Sequence, residues 1–230
     1  MLRLLAVLIA ALALLAAGCG GEEEPADSPA AEATEAAPAE NEFLPEGCEN
    51  VEKPAPKDVG AIDKPDEKLD KSKTYVATVS TTCGDFEITL DAKRAPVTGG
   101  SFKYLADQGF FDGLTFHRIV PNFVIQGGDP AGDGSGGPGY TVVEAPPSDL
   151  TYEEGIVAMA KTQDEPAGAS GSQFFVVTGT DAASLTPDYA LLGKVTKGMD
   201  VATKIGGIQS DANGAPAAQV VIKSITVSES

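Results

Sequence analysis

The chain has 230 residues, enough for one domain of ordinary size plus an extension. Its formal net charge of −18, from 34 acidic against 16 basic residues, argues against nucleic-acid binding and against electrostatic adhesion to an anionic lipid surface. The single histidine has no His or Cys partner at metal spacing, so no metal site and no cofactor are expected.

At the amino terminus, Arg3 precedes an unbroken apolar run from Leu4 to Ala17. The run suits a signal sequence and falls short of the roughly 20 residues a spanning helix needs. It ends Leu15-Ala16-Ala17-Gly18-Cys19, which resembles a bacterial lipobox. Residues 1–18 are therefore expected to be removed as a lipoprotein signal peptide, leaving Cys19 as the lipid-bearing first residue. An ordinary secretory signal, with no special role for Cys19, is the alternative. Residues 19–50 are rich in Glu, Ala and Pro, and no Lys or Arg occurs between Arg3 and Lys53. Such a segment buries too little apolar surface to offset its ordering entropy, so it reads as a disordered acidic tether. It would hold the domain off the membrane on the extracytoplasmic face. Residues 51–74 alternate Lys, Asp, Pro and Glu and read as an irregular lead-in wrapped on the domain. With Cys19 lipidated, Cys48 and Cys83 remain. An even pair in an exported chain favours a disulfide between them, with two unpaired thiols as the alternative.

The folded domain is expected over residues 75–230. Alternating runs at 75–79 and 86–90 flank a turn near Cys83-Gly84-Asp85 and read as a hairpin. Pro96 opens a helix whose stripe of Val97, Phe102, Leu105 and Ala106 runs to Asp107, with Gly109 as the stop. Strands follow at 114–118 and 123–126. The stretch Gly127 to Tyr140 is mostly Gly, Asp, Ser and Pro, and reads as a long structured turn. It lacks the helix start and Lys of a phosphate loop, and the further acidic ligands of a calcium loop. Short apolar strands at 156–160, 174–177 and 191–195 come next. A second helix around Met199, Val201, Ala202 and Ile205 is stopped by Gly206-Gly207, and a last strand spans 220–227. The periodicity supports a mainly-β fold, and barrel closure would remove vulnerable edges.

Two stretches carry the chemistry. Phe116-His117-Arg118-Ile119-Val120-Pro121-Asn122-Phe123-Val124-Ile125-Gln126 sets one Arg and one Gln among apolar residues. Gly171-Ser172-Gln173-Phe174-Phe175-Val176-Val177 sets an amide among aromatics. Most arginines lie on the surface; one so flanked lines a cleft, where its fork of donors can be aimed at a ligand. Together and in this order, these stretches resemble the cyclophilin family of peptidyl-prolyl isomerases, from about Tyr75 to Val227. The resemblance implies a closed eight-stranded antiparallel barrel capped by two α-helices. It also implies that Arg118 is the catalytic arginine and that Phe123, Phe175 and Leu185 wall a proline pocket with Val124 at its edge. Gln126 would hold the carbonyl before the proline and brace Arg118. Gln173 and the backbone of Ala160 would bind neighbouring substrate residues. His117 corresponds to a family histidine beside the catalytic arginine; a structural hydrogen-bonding role suits it better than a chemical one.

The chain also departs from the family pattern. Ser184 stands where the family has Trp, Tyr189 where it has His, and Lys161 where an Asn follows Met-Ala. Tyr189 can still stack on the proline, whereas the substrate contact of Lys161 is open and Ser184 weakens the expected grip on cyclosporin. The leading expectation is a monomeric, membrane-anchored isomerase acting on proline-containing segments of exported proteins. A cyclophilin-like peptide-binding or holdase module with little turnover is the main alternative. A structural envelope protein is a third reading, and it would not need an arginine in an aromatic cleft.

Overall fold

A computed structural model describes residues 41–230. The signal segment, Cys19 and most of the acidic tether lie outside the described residues. The last ten tether residues, 41–50, are not loose: Asn41 Nδ2 donates to the Ala217 carbonyl at 3.1 Å, and Leu44 and Cys48 pack on the main core.

Strands β1 (Tyr75–Thr81) and β2 (Gly84–Leu90) form the expected hairpin, with Tyr75 opposite Leu90 and Thr81 opposite Gly84. Alternation buries Tyr75, Ala77 and Val79 from one strand and Phe86, Ile88 and Leu90 from the other, as a half-buried antiparallel pair requires. Helix α1 (Pro96–Asp107) has Pro at its start and no side-chain cap from its own N-cap residue. Glu144 supplies the missing acceptor: its carboxylate takes the N–H groups of Val97 at 3.2 Å and Thr98 at 2.8 Å. A carboxylate there satisfies orphan donors and meets the positive end of the helix dipole. Gly109, at φ 63°, turns the chain away after the helix.

The remaining elements are β3 (Arg118–Val120), β4 (Val124–Gly127), β5 (Val142–Val143), β6 (Ile156–Met159), β7 (Ala169–Ser170), β8 (Phe174–Val177), a 3-10 turn (Asp181–Ser184), β9 (Leu191–Lys197), α2 (Met199–Gly206) and β10 (Ile222–Glu229). Eight strands form one antiparallel sheet in the order β10-β1-β2-β9-β6-β8-β4-β3, and β5 pairs with β7 in a two-stranded ribbon the sequence did not suggest.

The expected closed barrel is not what forms. The sheet curls, but its end strands β3 and β10 do not pair, leaving an open half-barrel. The reason lies at the β3 edge, where the Ile119 N–H donates to the Gly214 carbonyl at 2.8 Å. A loop therefore occupies the edge that closure would need, which protects it without a neighbouring strand. The expected strand over 114–118 is displaced because this segment bonds instead to the chain entering the last strand, through Phe116 N–H to the Val220 carbonyl at 3.1 Å and Ile222 N–H to the Leu114 carbonyl at 2.7 Å. Leu114 to Phe116 run beside the start of the last strand, with a single bridge between Thr115 and Val221, and the regular strand begins only at Arg118.

Two apolar clusters lie on opposite faces of this sheet. The larger, inside the curl, holds Phe102, Phe111, Phe116, Ile119, Ile125, Met159, Phe174 and Val176. The smaller holds Val124, Tyr152, Ala158, Phe175, Val177 and Leu191, with Phe123, Leu185 and Tyr189 packed on it. Phe174 and Val176 thus face the main core while Phe175 and Val177 face the other way, as period-two alternation dictates.

The lead-in is a strap without helix or strand, lying on the domain. Cys48 is disulfide-bonded to Cys83. Beyond it, the Glu49 N–H donates to the Thr82 carbonyl at 2.7 Å, and the Lys57 N–H to Pro130 at 2.8 Å. The Lys57 ammonium reaches three carbonyls, those of Gly109, Phe110 and Asp112, at 2.8, 3.0 and 2.9 Å. The strap then crosses α1 where Gly100 makes room; a Cβ there would run into the Glu67 backbone.

Candidate active site

The sheet register places the site residues in one row. Arg118 on β3 is opposite Gln126 on β4; Gln126 is opposite Phe175 on β8; Phe175 is opposite Ala158 on β6; Ala158 is opposite Leu191 on β9. Directly opposed residues of antiparallel strands point to the same face. The row therefore presents an arginine, an amide and an aromatic ring side by side on the face opposite the main core.

A chain of amide contacts organises the polar half. Arg118 Nη1 lies 3.5 Å from Gln126 Oε1, at the long limit of a hydrogen bond. Gln126 Nε2 donates to Gln173 Oε1 at 3.0 Å, and Gln173 Nε2 donates to the carbonyls of Gly134 and Gly136, both at 2.9 Å. The glycine-rich loop is built around Asp129, 1% exposed, whose carboxylate accepts N–H groups from Ala131, Asp133 and Gly134. That network orients the two glutamines and leaves the Arg118 guanidinium with donors to spare.

The apolar half is aromatic. Phe175 meets Tyr189 edge-on, centroids 5.4 Å apart at 89°. Phe123 comes from the β3–β4 turn, where Asn122 sits at φ 60° and its amide donates to Asp181 Oδ1 at 2.8 Å. That bond, with Thr178 N–H to Phe123 carbonyl at 3.0 Å, docks the turn on the segment leading to Leu185. Phe123, Val124, Ala160, Phe175, Leu185 and Tyr189 all belong to the smaller cluster. The Ala160 N–H is committed to the Gln173 carbonyl at 2.9 Å, so a substrate contact through that backbone falls to its carbonyl.

Tyr152, which the sequence reading passed over, is fully buried. Its hydroxyl donates to the Tyr189 carbonyl at 2.8 Å and accepts the Tyr189 N–H at 3.0 Å. It clamps the backbone that carries the Tyr189 ring. The only hint in the sequence was Leu150 and a large aromatic two residues on, in the otherwise polar stretch Asp149 to Glu154.

His117 lies beside Arg118, and neither ring nitrogen has a hydrogen-bond partner among the described residues. The structural hydrogen-bonding role expected for it is therefore not seen. Burial pushes its pKa below the ordinary 6.5; the Arg118 charge pushes the same way, and Asp129 partly offsets both. Between that lowered value and 6.5 the unfolded chain binds more proton at this ring than the folded one. Stability should thus be fully present above pH 6.5 and decline as pH falls below it. The chain has one histidine, so melting curves between pH 7.5 and 5.5 should lose most of this slope in His117→Gln. An unchanged slope would mean that other groups carry it.

A family model described as "cyclophilin type peptidyl-prolyl cis-trans isomerase/CLD" matches residues 76–227. The chain belongs to the cyclophilin family of peptidyl-prolyl cis-trans isomerases. It is similar to peptidyl-prolyl cis-trans isomerase B of Bacillus subtilis, 44% identical over 117 residues, covering 50% of this chain and 79% of the relative. It is also similar to peptidyl-prolyl cis-trans isomerase A of Mycobacterium tuberculosis, 36% identical over 174 residues, covering 67% of this chain and 93% of the relative. A solved cyclophilin type isomerase of Cryptosporidium parvum superposes with a TM-score of 0.63 at 28% identity, over 67% of this chain and 98% of that one.

The sequence resemblance puts Ser184 at the family's Trp position, and this has a testable consequence for ligand binding. Ser184 is exposed, and its hydroxyl donates to the Asp181 carbonyl at 2.9 Å, ending the 3-10 turn. It offers neither an indole wall nor a donor to an incoming ligand. Cyclosporin should therefore bind weakly, and Ser184→Trp should tighten it by roughly one to two orders of magnitude if an indole contributes as buried aromatics usually do. Calorimetric titration of both proteins checks this; tight binding by the unmodified protein would refute it.

Proposed function

We propose that this isomerase is exported, anchored to the membrane through lipid on Cys19, and accelerates prolyl isomerisation in exported proteins, with Arg118 stabilising the twisted amide. The reaction makes and breaks no covalent bond. Its barrier of about 18–20 kcal/mol reflects amide resonance, which twisting destroys. The twisted prolyl nitrogen regains a lone pair and becomes an acceptor, which neither planar isomer offers. A donor placed there binds the transition state better than either ground state, which is what acceleration requires.

The observation that carries this reading is the row Arg118–Gln126–Phe175, with Tyr189 edge-on to Phe175. It sets a guanidinium donor fork in the same row as the aromatic pair Phe175 and Tyr189. Arg118 is half-buried and, among the described residues, its one side-chain hydrogen bond is the long one to Gln126, so it can commit donors to substrate. Gln126 and Gln173 are fixed in orientation and suit the peptide groups flanking the proline. The holdase alternative has no use for a poised guanidinium beside the slot.

The anchor rests on the Leu15-to-Cys19 motif and on the acidic spacer after it. Cys19→Ser should release the protein from membranes or block its processing, and intact-mass analysis of detergent-extracted protein should show acyl chains on Cys19. Each buried methylene adds about 0.8 kcal/mol, so two or three chains hold where one does not. A mature chain beginning elsewhere, without lipid, would remove the anchor from this account and leave the isomerase intact.

A further inference from the structure

Lys161 stands where the family has an asparagine, and its surroundings give it a different task. Its side chain is 5% exposed, and Nζ lies 2.7 Å from Asp188 Oδ2. The same ammonium donates to the carbonyls of Thr162 at 3.2 Å and Glu165 at 3.1 Å. Three donors meet three acceptors, the condition on which a lysine is tolerated so deep. Nζ also lies 5.8 Å from the centroid of the Tyr189 ring, within cation–π reach. Asp188 is held a second time, because its carbonyl accepts the Gly168 N–H at 2.8 Å. The loop after β6 and the loop before β9 are thus buckled together at Asp188, one residue from Tyr189.

Lys161 also lines a chamber of about 560 Å³ shared with Gln126, Gln173 and the glycine-rich loop. It therefore sits between that chamber and the aromatic slot. With every ammonium donor already engaged, it has none left for a substrate carbonyl in this arrangement. Tyr152 fixes the Tyr189 backbone, and the Lys161 ammonium lies over the ring.

We infer that Lys161 is a positioning residue: by its pair with Asp188 it holds the Tyr189 ring edge-on to Phe175 and sets the width of the prolyl slot. The inference rests on the reading that this aromatic cluster receives the prolyl ring. The Asp188 carboxylate is 41% exposed, so the pair is a buckle and not a large source of stability.

The test is a kinetic double-mutant cycle on the full-length protein in detergent, with an Ala-Pro tetrapeptide as substrate. Lys161→Met keeps the length and removes the charge. It should raise KM by about fivefold or more with kcat little changed, because the slot loses affinity for planar and twisted proline alike. Lys161→Arg, which can still reach Asp188, should recover most of that affinity. Tyr189→Ala should weaken kcat/KM by about tenfold in the unmodified protein and by much less in the Lys161→Met background, since the ring is already misplaced there. A merely structural lysine would give additive effects. Should Lys161→Met not fold, Asp188→Asn serves in its place, with the same expected KM rise and the same non-additivity. Additive effects, or an unchanged KM in either variant, would overturn the inference. Arg118→Ala, run alongside, separates the two claims: an active Arg118→Ala protein refutes the proposed mechanism, whereas an additive cycle beside an inactive one refutes only the role of Lys161.

Discussion

Arg118→Ala should lower kcat/KM for prolyl isomerisation by about 10²–10³-fold, the range observed when one preorganised donor to a developing charge is removed. The fold should survive, because the side chain is half-buried and, among the described residues, its one side-chain hydrogen bond is the long one to Gln126. Arg118→Lys should recover little. An ammonium is a point charge on a flexible stem, whereas the guanidinium can brace against Gln126 and aim another donor at the prolyl nitrogen. A protease-coupled assay with circular dichroism on the same samples decides the matter. Near-normal turnover in folded Arg118→Ala protein would remove the arginine from the mechanism.

The second large effect concerns the strap. Cys48 and Cys83 are 35 residues apart in sequence, so the bond closes a long loop in the unfolded chain. Loop-closure entropy assigns it about 3–4 kcal/mol. In a domain of this size Cys48→Ser/Cys83→Ser should lower Tm by about 10 °C. The consequence is not confined to the strap. Lys57 binds the Pro130 carbonyl, the Lys64 ammonium reaches Thr141 at 2.9 Å, and Lys53 lines the cleft with His117, Arg118 and Gln126. Loosening the strap therefore loosens both ends of the glycine-rich loop that holds Gln173. A several-fold loss of kcat/KM should accompany the fall in Tm, and adding reductant to the unmodified protein should reproduce both. Unaltered Tm and activity in the double serine variant would show that the carbonyl contacts of Lys57 and Lys64 hold the strap without the bond.

The faces of the strands could be read from residue order alone. Phe174 and Val176 against Phe175 and Val177, and Ile125 against Val124 and Gln126, sort to the two clusters by alternation. That sorting places the arginine, the glutamines and the aromatic slot on one surface. Helix α1 was equally legible, because Pro96 and Gly109 act locally. What stayed hidden is decided by contacts remote in sequence. Glu144 caps α1 from 47 residues away. Tyr152 clamps Tyr189 from 37 away. The Lys161–Asp188 pair joins two loops whose composition names no partner. Closure of the barrel failed for a related reason: a loop carbonyl at Gly214 competes for the β3 edge, and no strand pattern encodes that competitor.

The claim that matters most is that Arg118 acts on the twisted amide and not on the bound planar isomers. Exchange NMR on an Ala-Pro peptide with full-length protein in detergent measures both quantities in one sample: the affinity for each isomer and the rate at which bound isomers interconvert. The account predicts that unmodified and Arg118→Ala proteins bind the peptide with similar affinity, and that only the unmodified protein speeds interconversion by orders of magnitude. A variant that loses peptide affinity in proportion to its loss of rate would show that Arg118 serves ground-state binding, and would contradict the account.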